Sequence, residues 1–237
     1  MPKPVIIAGA GIIGCLLGHV LKKHSIPFKI LEKSTEFKKI PYRTVALTKE
    51  SIHFLNSIEK SLDLNKWTTP VSKMELYHKN ELGIVLDSNT EEKVTSIGLL
   101  SNLHKKLLKK VKNEIIWNSS ITEIINKDKV IVKTLDKDFA TEFIFATDGA
   151  NSKVRELCDF ESEEWFYGQK AYVTCIKAQH NNIAKQYFTP NGTLALLPLN
   201  DKEEFYSIIF CTNSTGDVLQ DLEDMNKAFD IRLDLSK

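Results

Sequence analysis

The sequence predicts an α/β fold in which a parallel-sheet domain is interleaved with an antiparallel β-sheet. The first observation is that residues 4–31 read as strand, glycine-rich turn, helix and strand, an order typical of a parallel βαβ unit. The second is a change of pattern beyond Phe160, where strand-like segments follow one another with no long helix between them. Those segments are residues 171–178, 184–188, 193–198 and 204–211.

The first βαβ unit is predicted from the spacing of its apolar residues. Residues 4–8 form a short β-branched run, as in a buried strand, and residues 12–24 carry apolar side chains at helical spacing. Residues 25–27 break the helix, and residues 28–31 form a second strand that ends at Glu32. The order therefore ends in an acidic residue at the carboxyl end of the second strand.

The remaining elements follow from the same two periodicities. We predict helices at residues 49–58 and 101–112 and a helical tail at residues 215–237. Residues 71–77 and 84–87 are predicted to form antiparallel strands. Further strands are predicted at residues 115–117, 121–125, 130–134 and 142–146, of which the middle two form a hairpin.

Composition and charge exclude several classes of protein. The 237 residues carry 32 Lys and Arg against 31 Asp and Glu, so a net charge of +1 gives no global field for nucleic acid. The four cysteines lie apart and fit a reducing cytosol. No apolar run reaches the roughly 18 residues that span a bilayer, and the N-terminus lacks the pattern of a signal peptide. We expect a cytoplasmic protein whose membrane contact, if any, is peripheral.

The glycine-rich turn fits the dinucleotide-binding pattern G-x-G-x-x-G at Gly9, Gly11 and Gly14, with Glu32 eighteen positions further on. Gly9 permits the tight turn, Gly11 lets a diphosphate approach the main chain, and Gly14 lets the helix pack against the strand. The helix N-terminus offers free N–H groups to the phosphates. Glu32 suits ribose hydroxyls and would repel a 2′-phosphate. The alternative is a glycine turn that binds nothing, and the pattern alone does not separate FAD from NAD.

Four segments extend the pattern in a fixed order along the chain. The first is residues 5–14, and the second is residues 43–48, which fit R-x-x-A-L-[ST]. The third is residues 146–155, which fit A-D-G-x-x-S-x-[VL]-R, with Thr147 at a position where Ala is common. The fourth has two parts, residues 167–171, which fit Y-x-Q-x-A, and residues 188–199, which fit F-x-x-x-G-x-x-A-x-L-P-L. With these segments the chain resembles the FAD-dependent aromatic hydroxylases of the para-hydroxybenzoate hydroxylase type. Within that family it is most similar to the ubiquinone-biosynthesis hydroxylases, which act on polyprenylated phenols.

The resemblance implies a Rossmann-like FAD-binding domain of the GR2 flavoprotein type, interleaved with an antiparallel β-sheet substrate domain. Residues 1–70 and 95–160 would form the FAD-binding domain, and residues 71–94 and 161–214 the substrate-domain sheet. Residues 215–237 would be a C-terminal helical tail that is incomplete relative to the family. The second flavin motif, G-D-A-A-H, is not found, because Gly216-Asp217 continues as Val218-Leu219. The chain is therefore expected to be C-terminally short.

The resemblance also assigns cofactor-binding residues, position by position. The ADP moiety would be held by the glycine turn and Glu32, and Arg43 would lie along the flavin phosphate or ribityl region. Asp148 and Gly149 would belong to a motif linked to both FAD and the reducing nicotinamide cofactor, and Arg155 would anchor that loop. The alternatives are plain turn chemistry for Asp148 and a surface ion pair for Arg155. The full cofactor-binding set is Gly9, Gly11, Ile12, Ile13, Gly14, Glu32, Lys33, Arg43, Asn102, Asp148, Gly149 and Arg155. No metal site is predicted, and the sequence identifies no catalytic side chain.

Two groups of residues carry weaker signals. The scattered histidines, His53, His78, His104 and His180, are interpreted as surface or core residues. In the predicted substrate sheet, Tyr172, Phe188 and Leu196 either pack the core or line an apolar pocket for a prenyl tail.

The resemblance implies an FAD-dependent monooxygenase that hydroxylates the ring of a polyprenylphenol on the way to ubiquinone, with NAD(P)H and molecular oxygen. The expected partners are that small-molecule substrate, a ubiquinone-biosynthesis complex and the inner membrane as a peripheral surface, with no nucleic acid. Two alternatives stay open. One is an FAD oxidoreductase with a different substrate, and the other is a truncated non-catalytic remnant or assembly subunit of the family.

Overall fold

The computed structural model describes residues 3–38, 42–78, 81–87, 94–190, 192–200, 204–213 and 216–228. The helices are α1 (Ile12–Lys23), α2 (Lys49–Ile58), α3 (Leu100–Val111), α4 (Lys153–Leu157) and α5 (Val218–Ala228). The first eight strands are β1 (Val5–Ala8), β2 (Phe28–Leu31), β3 (Thr44–Leu47), β4 (Thr68–Val71), β5 (Lys73–His78), β6 (Glu81–Asp87), β7 (Thr95–Leu99) and β8 (Ile115–Ile116). The others are β9 (Ile121–Asn126), β10 (Val130–Thr134), β11 (Asp138–Thr141), β12 (Ile144–Ala146), β13 (Lys170–Lys177), β14 (Ile183–Thr189), β15 (Gly192–Asn200) and β16 (Glu204–Thr212).

The chain divides into two compact units that alternate along the sequence. The first unit comprises Met1–Lys39, Leu55–Leu62 and Ser101–Glu164. The second comprises Ile40–Phe54, Asp63–Leu100 and Trp165–Lys237. A parallel sheet lies in the first and an antiparallel sheet in the second, so the predicted α/β fold with interleaved domains is confirmed.

The first unit is built on a four-stranded parallel sheet in the order β12-β1-β2-β8. Ile7 pairs with Ile30 on β2 and with Phe145 on β12. Ile6, Ile7 and Ile30 are fully buried, as expected for strands that are covered on both faces. The predicted βαβ unit is therefore present, with β1, α1 and β2 in the predicted order.

One face of this parallel sheet is covered by a three-stranded sheet in the order β11-β10-β9. The predicted hairpin is confirmed as β9 and β10, in which Val130 lies opposite Asn126. The sequence analysis missed β11, whose Phe139 packs with Val132, Ile6 and Leu31 in one buried cluster. Apolar side chains from both sheets therefore share one buried cluster.

Helices α1 and α3 also belong mainly to the first unit. The apolar stripe predicted for α3 is confirmed, because Leu103, Leu107 and Val111 are buried. On α1 the buried residues include Cys15 and His19, neither of which the apolar spacing singled out. Among the described residues, no helix combines the length and apolar character needed to cross a bilayer.

The second unit contains a six-stranded sheet in the order β13-β16-β15-β14-β5-β6. Its neighbours are antiparallel except β14 and β5, which pair in parallel. One face carries a buried cluster in which Leu222 of α5 packs with Leu194, Leu196 and Phe210 of the sheet. Helix α5 lies inside the predicted tail of residues 215–237, and residues 229–237 lie outside the described residues.

The unit boundaries differ from the predicted domain boundaries around a small sheet in the order β3-β7-β4. No strand is predicted over β3 or β7, and of β4 only Val71 lies in a predicted strand, that of residues 71–77. Apart from Val71, which is assigned to the substrate-domain sheet, the residues of the three strands are assigned to the FAD-binding domain. In the structure they belong to the second unit, because Val71 and Ile97 pack with Ala184 and Leu199 of the larger sheet. The contacts that decide this grouping join residues more than 80 positions apart, so local pattern does not reveal them.

The sheet core of the second unit gives a stability prediction. Leu196 on β15 is fully buried, so Leu196→Ala leaves a cavity and is expected to lower the free energy of unfolding by about 2–5 kcal/mol. Leu86 on β6 is 48% exposed and serves as the matched control. Leu86→Ala should change stability by less than about 0.5 kcal/mol. Urea denaturation measures both, and equal losses would contradict the assigned core.

Candidate functional site

The glycine turn that follows β1 is shaped by main-chain contact with the end of β12. Gly9 has a φ of +94°, a conformation that favours glycine. A Cβ at this position would lie 2.9 Å from the Cα of Asp148 and 2.9 Å from the carbonyl oxygen of Thr147. Two strands that are far apart in sequence therefore meet here at a distance that excludes any side chain.

Gly14 and Gly11 differ in what surrounds them. A Cβ on Gly14 would overlap the carbonyl oxygen of Gly9 and lie 2.7 Å from the Oγ1 of Thr147. A Cβ on Gly11 would have the Thr147 carbonyl oxygen, at 4.0 Å, as its nearest neighbour. Gly14 is therefore required for the packing of α1 against the turn. Gly11 leaves open space beside bare main chain, where a ligand has room to approach.

Helix α1 begins at this turn without a capping side chain. Its N-cap residue, Gly11, is extended (φ −67°, ψ −177°) and has no side chain that could cap the helix, and the first turn holds no acidic residue. The first helical hydrogen bond runs from the N–H of Cys15 to the carbonyl of Gly11 at 2.9 Å. The N-terminal N–H groups and the partial positive charge of the helix are therefore available to an anion.

The Glu32 side chain faces the turn from the end of β2. One carboxylate oxygen accepts from the N–H of Ala10 at 2.7 Å, and the other accepts from the N–H of Ser34 at 2.8 Å. These two bonds fix the plane of the carboxylate. Each carboxylate oxygen can accept a second bond, so Glu32 retains the capacity to bind ribose hydroxyls.

Thr147 joins the end of β12 to the turn. Its Oγ1 lies 2.7 Å from the carbonyl oxygen of Ala8, to which it donates, and 3.2 Å from that of Gly9. Its own N–H also donates to Ala8 at 3.0 Å. The threonine that departs from the family pattern therefore adds a hydrogen bond between the two strands at the turn.

Asp148 caps the short helix α4. One carboxylate oxygen accepts from the Ser152 hydroxyl at 2.6 Å, and the other accepts from the N–H groups of Lys153 and Val154 at 2.7 and 3.2 Å. Ser152 in turn accepts from the N–H of Arg155 at 3.0 Å. These contacts are the turn chemistry that the sequence analysis gave as the alternative for Asp148. Its contact with a cofactor stays a prediction.

The positions of the other predicted residues give less information about a role in cofactor binding. Arg155 lies 3.9 Å from Glu164, the weak surface ion pair given as its alternative. Arg43 belongs to the second unit, whereas the turn belongs to the first. Gly149 is surrounded by open space, Ile12 and Asn102 are half-buried, and Ile13 and Lys33 are exposed. Their roles in cofactor binding stay predictions.

His104 on α3 was missed by the sequence analysis. Its Nε2 lies 2.6 Å from the carbonyl oxygen of Ala10, in the middle of the glycine turn. The imidazole also meets the ring of Phe37 edge-on, with ring centroids 4.9 Å apart. A usable signal was its position three residues before the buried Leu107, which puts both on neighbouring parts of one helix face.

Cys15 is buried directly behind the turn. Its thiol donates to the carbonyl oxygen of Ala10 at 3.3 Å. Burial raises the pKa of the Cys15 thiol to about 12, and the negative charge of Glu32 adds to the effect. The thiol therefore stays protonated at neutral pH and acts as a small buried donor.

The arrangement suits a dinucleotide. The open main chain at Gly11 and the uncapped N-terminus of α1 fit a diphosphate. The carboxylate of Glu32, fixed at the end of the adjacent strand, fits a ribose. These residues come from β1, α1 and β2 and lie within the first unit.

Comparison with known proteins agrees with this geometry. A family model described as "FAD binding domain" matches residues 3–228. The resemblance drawn from the sequence motifs is thereby confirmed, and with it FAD as the cofactor of the family. NAD(P)H as the reductant stays a prediction.

Two curated relatives are named for ubiquinone biosynthesis or chemistry. The chain is 26% identical over 265 residues to the Drosophila melanogaster "Ubiquinone biosynthesis monooxygenase COQ6, mitochondrial", covering 95% of this chain and 54% of the relative. It is 21% identical over 254 residues to the Escherichia coli "3-demethoxyubiquinol 3-hydroxylase", covering 96% of this chain and 61% of the relative. The chain thus spans between half and two thirds of the length of these relatives.

A solved structure shows the same fold. Klebsiella pneumoniae HpxO, complexed with FAD and uric acid, aligns with a TM-score of 0.78 at 15% identity. The alignment covers 96% of this chain and 61% of HpxO. The likeness supports the α/β fold described above.

The two glycines make separable predictions. Gly14→Ala forces a methyl group onto the Gly9 carbonyl and should lower the free energy of unfolding by about 2 kcal/mol or more. Gly11→Ala has room in the protein and should change stability by less than about 1 kcal/mol, yet should weaken ADP binding at least about tenfold because the methyl group blocks the diphosphate. Calorimetry of ADP binding and thermal unfolding measure the two effects. Gly83→Ala, on the exposed strand β6, is the control.

Thiol labelling tests the burial of Cys15. With a pKa of about 12, fewer than about one thiol in a thousand is ionised at pH 8. We expect iodoacetamide to leave Cys15 unlabelled in the native protein and to label it in urea, as followed by peptide mass spectrometry. Cys158, which is half-buried, is the internal reference. Native labelling of Cys15 as fast as of Cys158 would contradict this packing.

Proposed function

The chain belongs to the FAD binding domain family, and from this premise we propose that it is part of an FAD-dependent monooxygenase that hydroxylates the aromatic ring of a polyprenylphenol in ubiquinone biosynthesis. NAD(P)H and molecular oxygen would be the co-substrates. The observation that carries the cofactor assignment is the open main chain at Gly11 beside the carboxylate of Glu32. The substrate class rests on the names of the two curated relatives.

The first unit would hold the ADP part of FAD. The N–H groups at the start of α1 would donate to the diphosphate, and Glu32 would accept from the adenosine ribose. Bound FAD supplies the chemistry that activates oxygen for transfer to the ring. The part of this chain would be to bind and orient the cofactor, to position the ring and to exclude water.

The six-stranded sheet offers two different faces to a substrate. Strand register places Tyr172 opposite Phe210, Phe210 opposite Leu194, and Leu194 opposite Tyr187. All four lie on the face that α5 covers, as does Leu196, which is core. Phe188 follows Tyr187 and therefore points to the opposite face. Of the three candidates for an apolar pocket, Phe188 therefore lies on one face of the sheet, and Tyr172 and Leu196 lie on the other.

We place the prenylated ring on the face that carries Phe188. Cross-strand rows on this face hold Gln186, Ala195, Ile209 and Val173, and next to them Phe188, Thr193, Cys211 and Ala171. Phe188 is 39% exposed and Val173 is 41% exposed. An apolar face with a few polar groups is typical of a site for a small apolar ligand.

The polyprenyl tail also bears on location and partners. A long prenyl chain partitions into a bilayer, so the protein is proposed to work peripherally at the membrane that holds its substrate. Association with other enzymes of the same biosynthesis is part of this proposal.

A second candidate is a non-catalytic subunit of the same family. It is favoured by one feature of the structure, because the carboxylate of Asp148, which the resemblance assigns to cofactor binding, is engaged in capping α4. The purified chain decides between the two. Yellow colour with turnover of a prenylated phenol to a hydroxylated product, detected by mass spectrometry with NADH or NADPH, supports the enzyme. A chain that binds FAD and yields no hydroxylated product across a panel of phenols supports the subunit.

The substrate face gives a kinetic prediction with a matched control. Phe188→Ala removes apolar area from the proposed face and should raise KM for a prenylated phenol by about tenfold, from the loss of roughly 1.5 kcal/mol of apolar contact. Tyr172 is 37% exposed on the opposite face, so Tyr172→Ala should leave KM within about twofold. Steady-state kinetics measures both. A larger rise in KM for Tyr172→Ala than for Phe188→Ala would overturn the choice of face.

A further inference from the structure

Ala10, in the middle of the glycine turn, is hydrogen-bonded on both sides of its Cα. Its N–H donates to Glu32 at 2.7 Å, and its carbonyl oxygen lies 2.6 Å from Nε2 of His104. A carbonyl oxygen only accepts, so Nε2 of His104 carries the proton. The thiol of Cys15 donates to the same carbonyl oxygen over a longer distance of 3.3 Å. The carboxylate, the imidazole and the thiol therefore fix the two peptide groups that flank Ala10.

The second of these peptide groups contains the N–H of Gly11. The peptide bond is planar, and no cis bond occurs among the described residues, so the N–H of Gly11 points away from the Ala10 carbonyl in the same plane. By holding that carbonyl, His104 sets the direction of the Gly11 N–H. That N–H lies at the uncapped start of α1, beside the open space at Gly11.

His104 is itself held in place. The ring of Phe37 meets the imidazole edge-on, and the neighbouring Leu103 and Leu107 anchor α3 in the core of the first unit. A second histidine bond joins α1 directly to α3, because Nε2 of His19 on α1 lies 2.8 Å from the carbonyl oxygen of Leu107 on α3. The two bonds have the same chemistry, but only that of His104 reaches the turn.

We propose that His104 is a positioning residue for diphosphate binding, which acts by holding the Ala10–Gly11 peptide so that the Gly11 N–H is aimed at the ligand. The inference rests on the assignment of the turn to a dinucleotide and is independent of the substrate that is hydroxylated. If His104 has this role, helix α3 contributes to the affinity for the cofactor, although none of the glycines of the turn lies on it.

The test compares three variants of the full chain by calorimetric titration with ADP and by thermal unfolding without ligand. His104→Leu removes the donor and should weaken ADP binding about tenfold, the value of one hydrogen bond in a binding constant. His104→Gln keeps an N–H donor on a side chain of similar reach and should restore the dissociation constant to within about threefold of the wild type. His19→Leu is the control, because it removes a bond of the same kind, to the carbonyl oxygen of Leu107, which does not reach the turn. It should lower the unfolding temperature while leaving the dissociation constant for ADP within about twofold.

Hydrogen exchange gives a readout that needs no ligand. The peptide that contains residues 9–14 should exchange faster in His104→Leu than in the wild type and in His104→Gln, because the Ala10 carbonyl loses the shorter of its two hydrogen bonds. Equal ADP affinity and equal exchange in His104→Leu and the wild type would overturn the role of His104 alone. A wild-type chain that binds no ADP would overturn this inference together with the assignment of the turn. Loss of ADP affinity in His19→Leu as large as in His104→Leu would reduce His104 to a general stabilising residue.

Discussion

The close approach of two main-chain segments, the glycine turn after β1 and the end of β12, is the constraint on which the first unit depends. Gly9 and Gly14 lie where any Cβ would meet the backbone of Thr147, Asp148 or Gly9 itself. This approach brings α1 against the parallel sheet and sets its first turn at the sheet edge. A helix N-terminus held against the ends of parallel strands has a geometry that favours the binding of an anion.

Side chains from three other elements complete the turn. Glu32 directly after β2, His104 on α3 and Thr147 directly after β12 each bind a main-chain group of residues 8–10. Each of these bonds satisfies a polar group that is half-buried or buried, where an unmade bond would be costly. Together they hold the turn rigid before any ligand arrives, so less conformational entropy is lost on binding.

Asp148 illustrates how a conspicuous motif residue can have a local task. Its carboxylate accepts from Ser152, Lys153 and Val154 and so holds the entry to α4. The spacing of the Asp and Ser within the motif is what this cap requires, since the hydroxyl four positions later reaches back to the carboxylate. The motif thus keeps the loop after β12 in one conformation, whatever further contact Asp148 makes.

The sequence by itself determined the βαβ unit, helix α3, the antiparallel strands of the second half and the positions of the glycines in the turn after β1. Each of these depends on spacing within a short stretch of chain. Only the tertiary structure decided that β3, β4 and β7 pair with one another and pack on the larger sheet, that Phe188 and Tyr172 lie on opposite faces, and that His104 reaches Ala10. The His104 contact joins residues 94 positions apart. Such contacts depend on how packed elements meet and leave no periodic trace in the local sequence.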